Sequence, residues 1–349
     1  MIAMSAELNE LTQTPPGRLE AEAQDGLAIA TRSLRRSFKG GVEAVRGLDL
    51  AVGTGEVFGF LGPNGAGKTT TVRMLCTLLP PTAGTAMVAG LDVASQAAAV
   101  RRRIGVALQE IGLDPVQTGR ELLELQCGLY GINGRRARVR AQELLELVGL
   151  TDAAARRTKT YSGGMKRRLD LASALVHSPD VLFLDEPTTG LDPASRMTIW
   201  EEVRRINRSG ATIFLTTQYL EEADKLCDRV AIIDGGTIVA EGTPARLKAD
   251  LGHDVVSVEL NGADLNDTEA ALAGLPGLER IVAAAHSLAL YLEDGAGSIA
   301  EIVRRLERAQ VRVGAISVAR PSLDDVFLRA TGRRLEEDET AAEDEEVTR

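Results

Sequence analysis

The sequence predicts an α/β protein with a parallel sheet, followed by a smaller α+β unit. Three observations carry that prediction. Between about Leu27 and Leu247 short apolar runs alternate with longer stretches of helical spacing, the order expected of βαβ units. One of those runs ends in a glycine-rich loop, GPNGAGKTT, that opens a helical pattern. After Pro244 the texture changes, and the segments read β-α-β-β-α-β, the ferredoxin-like order.

The elements follow in turn. Residues 1–26 read as a flexible leader broken by Pro15, Pro16 and Gly17. Met1 to Ala23 carries Glu7, Glu10 and Glu20 without a basic-then-apolar order, so it is not a signal peptide. The first unit, 27–247, has its clearest strands at Glu56–Leu61, Arg103–Leu108, Val181–Leu184 and Thr212–Leu215. From Gln109 to Thr160 the strand signal vanishes and two segments, Thr118–Tyr130 and Arg136–Val148, have helical spacing, an α-helical insert over about 110–160. In the second unit, 253–332, strands are expected at Val255–Leu260, Leu278–Ala284, Leu288–Leu292 and Val311–Val318. Helices are expected near Thr268–Ala273 and over Ser298–Ala309. Residues 333–349 are an acidic extension, expected to be disordered.

Composition limits the function classes. With 349 residues, 44% hydrophobic, the chain can bury a sizeable core. Of the net charge of −10, the stretch Glu336 to Arg349 contributes −7, from eight carboxylates and one arginine. The remainder is near neutral and lacks the basic excess of a nucleic-acid partner. Cys76, Cys127 and Cys227 have no metal-like spacing and read as reduced core thiols of a cytosolic chain. No run of about 18 uncharged apolar residues occurs, so any membrane role must come through a partner.

GPNGAGKTT fits G-x-x-x-x-G-K-[ST] through Gly62, Gly67, Lys68 and Thr69, with Asn64, Gly65 and Thr70 in the same loop. Its glycines let backbone N–H groups close around phosphate oxygens at the positive end of a helix. Lys68 supplies charge to the β/γ-phosphates, and Thr69 offers a hydroxyl to Mg²⁺. The loop alone does not choose among kinases, GTPases and ATPases. VLFLDEP narrows the choice, because a strand ending in Asp185 and Glu186 brings a Mg²⁺-holding carboxylate and one that can polarise water to the sheet edge. Carboxylates at strand ends are also common without any such role. In YSGGMKRRLDLASALV, Ser162, Gly163 and Gly164 open a helix with Met165, Leu169, Ala172 and Val176 on one face, a second anion-binding helix start. Lys166, Arg167 and Arg168 could add positive potential there, but their spacing favours a solvated helix face.

Taken with TTGLDP, Thr188 to Pro193, and Gln109 after RIGVAL, these motifs resemble, in order, the ATP-binding subunit of an ABC transporter. The resemblance implies a P-loop ABC cassette with a RecA-like core, an antiparallel β part and a helical insert. It also implies two subunits meeting head to tail, with two ATP at the interface between one P-loop and the partner's SGG turn. By position it implies that Gln109 contacts Mg²⁺ or the lytic water and that Asp192 crosses the dimer interface. Phe38 would stack on adenine, although an aromatic in an amphipathic strand is also what a core residue looks like. The insert would dock a separate membrane-spanning permease near Leu122 to Tyr130, a segment that equally fits a core helix. The transported molecule would touch the permease only, and the chain would sit on the cytoplasmic side of the cell membrane.

The family usually has histidine where TTQYLEEAD has Gln218, donating to the γ-phosphate. Gln218 still donates a hydrogen bond but cannot become cationic. An active ATPase with Glu186 as base and a sensor that does not titrate near neutral pH is therefore expected. This stretch, the YSGGM variant and SLDDVFLRATG are similar to the daunorubicin-resistance, DrrA-like, drug exporters, and the substrate implied is an amphipathic drug or lipid-like compound. Two other readings stay open. An ATP-gated regulatory or assembly module would dimerise on nucleotide without driving transport. A soluble ABC-type ATPase acting on nucleic acid or ribosomes would need paired cassettes, a long coiled coil or a basic surface, none of which appears in the sequence.

Overall fold

The computed structural model describes residues 26–109, 112–251, 254–260, 265–284, 287–311, 313–319 and 321–333. The leader before Gly26 and the acidic extension after Arg333 lie outside the described residues.

Two sheets build the first part. β1 (Leu27–Ser37), β2 (Glu43–Gly53), β4 (Ala83–Val88) and β5 (Leu91–Asp92) form an antiparallel sheet in the order β2-β1-β4-β5. β3 (Val57–Leu61), β6 (Ile104–Ala107), β7 (Val181–Asp185), β8 (Thr212–Thr217), β9 (Arg229–Asp234) and β10 (Thr237–Gly242) form the central sheet, ordered β10-β9-β3-β8-β7-β6. All its pairings are parallel except β9 with β10. The helices are α1 (Lys68–Leu75), α2 (Ala97–Arg103), α3 (Gly119–Leu129), α4 (Arg135–Leu147), α5 (Gly163–Ala174), α6 (Pro193–Arg208), α7 (Leu220–Leu226) and α8 (Pro244–Ala249).

Both faces of the central sheet are covered, which is why its strands read as continuous apolar runs. Side-chain alternation divides them between two cores. Phe58, Phe60, Phe183 and Phe214 point toward the antiparallel sheet and α1, with Phe58 and Phe214 stacked at 5.6 Å. Val57, Leu61, Leu182, Leu184, Ile213 and Leu215 face the helical layer. Gly59 sits where a Cβ would lie 2.6 Å from Cys227 Sγ, so only glycine permits that approach. All three cysteines are buried free thiols.

The second part comprises β11 (Asp254–Leu260), α9 (Leu265–Leu272), β12 (Leu278–Ala284), β13 (Ser287–Leu292), α10 (Gly295–Arg308), β14 (Val313–Ala319) and α11 (Leu323–Thr331). Its antiparallel sheet has the order β12-β13-β11-β14, the ferredoxin-like arrangement. One face packs on Leu272, Ile302 and Leu306. The other, through Val255, Val282, Ala289 and Tyr291, joins α11 residues Leu323, Phe327 and Leu328 and the first part's Leu226, Leu247 and Leu251 in one apolar cluster. Arg329 Nη1 on α11 donates to Asp250 O at 3.1 Å.

Strand and helix boundaries move by a few residues from the expected ones. Arg103 closes α2 instead of opening β6, and β14 begins at Val313. The Leu122–Tyr130 segment divides by face: Leu122 and Leu123 are buried, whereas Leu125, Leu129 and Tyr130 are exposed.

Candidate nucleotide site

Parallel strands bring their carboxyl ends to one edge, where ligands of open α/β sheets bind. The loop after β3, Gln109 beyond β6, Glu186 after β7 and Gln218 after β8 all lie at that edge. Register aligns them, with Leu61 opposite Thr217 and Asp185 opposite Thr216.

The glycine loop is shaped by close contacts. At Gly62 a Cβ would meet Ile233 O at 2.3 Å. At Gly67, which caps α1 with φ +106°, a Cβ would meet Ala44 O at 2.4 Å. No acidic residue occupies the first turn of α1, so the positive end of the helix is left for an anion.

Lys68 lies 4% exposed at the floor of this loop. Its Nζ donates to Gly62 O at 2.7 Å and Pro63 O at 3.0 Å and pairs with Glu186 Oε1 at 3.3 Å. Burial lowers its pKa, and Glu186 and Asp185 oppose that shift. Asp185 Oδ1 accepts from Thr216 Oγ1 at 2.5 Å and from Thr69 Oγ1 at 3.3 Å. Glu186 adopts φ +48°, unfavourable for a residue with a Cβ, and its N–H is held by Thr216 O and Oγ1. Gln109 Nε2 donates to Glu186 Oε2 at 3.4 Å, and Thr189 Oγ1 donates to the same oxygen at 3.3 Å.

Lys68, Thr69, Thr70, Gln109 and Glu186, with Asn64, Gly65 and Gly67, line one cleft of about 270 Å³. One carboxylate beside one threonine hydroxyl suits Mg²⁺, which takes few protein ligands and relies on phosphate oxygens for the rest. Among the described residues no cluster of three or more His, Cys, Asp or Glu offers a full protein cage for a metal.

The SGG turn is not part of this cleft's lining. Ser162 caps α5, accepting from Met165 N at 3.3 Å, and Gly164 approaches Ser195. Ser195 N and Oγ donate in turn to Asp192, the cap of α6. Ser162, Gly163, Gly164 and Asp192 therefore form a second cluster. Phe38 is also absent from the cleft lining: it is 40% exposed, with Arg36 Cζ 4.8 Å from its ring centroid. Gln218 is half-buried beside Gly62, whose N–H donates to Thr217 O.

Two features are missing from the sequence reading. Arg167 is no solvated residue: it is 4% exposed and donates to three backbone carbonyls, of Leu108, Asp185 and Pro187. The local spacing gave no signal for it, because four residues on from Gly163 it shares the helix face of an exposed glycine. The second is Glu222, fully buried on α7, which accepts from Thr188 Oγ1 at 2.9 Å and Trp200 Nε1 at 2.8 Å. Burial raises its pKa.

The family model of the ABC transporter matches residues 45–189, and that of the ATP-binding protein DrrA1-3-like, C-terminal domain, matches residues 242–331. The chain therefore belongs to the ATP-binding subunits of ABC transporters, in the DrrA-like branch, and is an ABC-type ATPase. It is 48% identical over 320 residues to the daunorubicin resistance ATP-binding protein DrrA2 of Streptomyces coeruleorubidus, covering 90% of this chain and 98% of that one. To the daunorubicin/doxorubicin resistance ATP-binding protein DrrA of Streptomyces peucetius it is 45% identical over 332 residues, covering 92% and 98%. Among solved structures, the dimeric ATP-binding cassette MJ0796, in a post-hydrolysis state bound to ADP and Pi, is similar with a TM-score of 0.57 and 25% identity, covering 62% of this chain and 98% of that one. No helix among the described residues is long and apolar enough to cross a membrane.

Proposed function

We propose that the chain is the ATP-hydrolysing half of an exporter that moves an amphipathic drug or lipid-like compound through a separate permease. The observation that carries this reading is the convergence of Lys68, Thr69, Glu186 and Gln109 on one cleft, with Asp185 buried behind it and bonded to Thr69. The Streptomyces relatives, named for daunorubicin and doxorubicin resistance, support the substrate class.

In this reading the loop amides from Asn64 to Thr70 hold the ATP phosphates, and Phe38 stacks on adenine. Lys68 exchanges its bond to Glu186 for the β/γ-phosphates, which frees that carboxylate. Thr69, Asp185 and Gln109 would hold Mg²⁺, which would neutralise part of the phosphate charge. Glu186 takes a proton from the attacking water as the bond from the γ-phosphorus to the bridging oxygen breaks, giving ADP and phosphate. Gln109 and Thr189, already bonded to Glu186 Oε2, orient it, and Gln218 donates to the γ-phosphate.

Two copies close head to tail around two ATP, each nucleotide meeting the partner's Ser162-Gly163-Gly164 turn, with Asp192 crossing the interface. The dimeric MJ0796 cassette supports such an assembly. We assign the permease contact to the groove of about 370 Å³ lined by Leu78, Leu108, Gln126, Tyr130 and His177. Leu125 and Leu129 stand exposed on the same helix. That contact would hold the chain to the cytoplasmic face of the membrane.

The test is phosphate release from MgATP by the purified chain and by Glu186→Gln, with dimerisation followed in the same samples. Turnover in the parent and an ATP-trapped dimer in the variant are expected. No turnover in either, with or without the permease, would overturn the motor reading in favour of a nucleotide-gated regulatory module.

A further inference from the structure

We infer that Arg167 is a positioning residue that ties the SGG helix to the catalytic edge and keeps Glu186 aimed into the cleft. The inference rests on the ATPase reading above and adds a residue to it.

Three backbone segments meet at this one guanidinium. Nε donates to Pro187 O at 3.0 Å, Nη2 to Asp185 O at 2.9 Å, and Nη1 to Leu108 O. Nη1 also lies 3.3 Å from Asp170 Oδ2 on its own helix, which keeps the buried charge compensated. The carbonyls of Asp185 and Pro187 flank Glu186 on both sides. A left-handed conformation at a residue other than glycine persists only where the surroundings over-determine it. Thr216 restrains the N–H of Glu186, and Arg167 restrains the peptide carbonyl before it and the Pro187 carbonyl one residue beyond it. Leu108 precedes Gln109, whose amide reaches Glu186 Oε2, so the same guanidinium sets both ends of that hydrogen bond.

Position on the helix adds the second half of the argument. Arg167 stands one turn beyond Gly163 and Gly164, where the partner's nucleotide is proposed to sit. A shift of α5 when that nucleotide binds would be carried through Arg167 to the turn that presents the catalytic base. Lysine could keep the charge but not the planar fork that serves carbonyls on three segments at once.

The experiment compares the full chain with Arg167→Lys and Arg167→Met. It measures kcat and KM for MgATP, ATP-driven dimerisation and the unfolding midpoint. Because small displacements of reacting groups cost up to about a hundredfold in rate, Arg167→Met is expected to lower kcat by about tenfold to a hundredfold. KM should change by less than about threefold, and Arg167→Lys should recover part of the loss. ATP-driven dimerisation should weaken in the same order, a readout that holds even if the parent releases no phosphate. A lower unfolding midpoint with kcat and dimerisation unchanged would mean that Arg167 is only a structural residue. If Arg167→Met does not fold, Arg167→Lys carries the test, and a variant with parental kcat and dimerisation overturns the inference.

Discussion

Glu202 on α6 provides a quantitative test of the packing. It is 4% exposed, its Oε2 has no hydrogen-bond partner among the described residues, and burial pushes its carboxyl up from 4.5 to about 8. Arg168 on α5 and Arg205 on its own helix pull the other way without overcoming the desolvation, and Glu201 adds to it. Below about pH 4.5 the folded and unfolded chains both carry the proton. Above it the unfolded chain loses the proton while the folded chain keeps it, so stability falls as pH rises until about pH 8. At about 1.36 kcal/mol per pH unit, the loss between pH 4.5 and 7 is about 3 kcal/mol. Glu202→Gln cannot ionise, so its advantage over the parent should grow from near zero at pH 4.5 to about 3 kcal/mol at pH 7. Trp200, the chain's single tryptophan, lies two residues away on the same helix, and its fluorescence during urea unfolding reports on this site. An advantage that does not change between pH 5 and pH 8 would refute the reasoning.

Further expectations concern the nucleotide edge. Gly67→Ala places a Cβ against Ala44 O and forces a φ of +106° on an L-residue, so MgATP affinity measured calorimetrically should fall by about tenfold or more; unchanged affinity would contradict the cradle. Glu222→Ala strips the acceptor from Trp200 Nε1 and Thr188 Oγ1, and a cost of about 2–4 kcal/mol is expected in denaturant unfolding. A midpoint equal to the parent's would show that these bonds contribute nothing. Gln218→His introduces a group that titrates near neutral pH, so the ATPase rate should gain an inflection near pH 6.5 that the parent lacks. The same inflection in the parent would count against Gln218 as sensor.

The central sheet was legible because its strands are buried on both faces and so appear as unbroken apolar runs, of which VLFL and TIFL are the plainest. The antiparallel sheet was harder. In β2 the buried residues Val45, Leu48, Leu50 and Val52 are separated by exposed ones, and the irregular register with β1 breaks a simple period-two pattern. The phosphate loop and the Asp185-Glu186 pair could be read directly because the chemistry is local in sequence. Arg167 could not, since its partners at Leu108, Asp185 and Pro187 come together only when β6 and β7 pair. Glu222 was hidden similarly: LEEAD reads as an acidic helix start, and only the fold shows which of its carboxylates points inward toward Trp200.

The shared apolar cluster beneath α11 bears on how such chains are cut and recombined. Phe327 and Leu328 are fully buried, in one layer with Leu247, Leu251 and Tyr291. Ending the chain at Leu247 would therefore strip cover from Leu226 as well as remove a sheet, and a loss of dimerisation in that fragment would mix exposed grease with missing contacts. Clean exchange of the C-terminal sheet between related chains requires its last helix and the surface under it to travel as a matched pair.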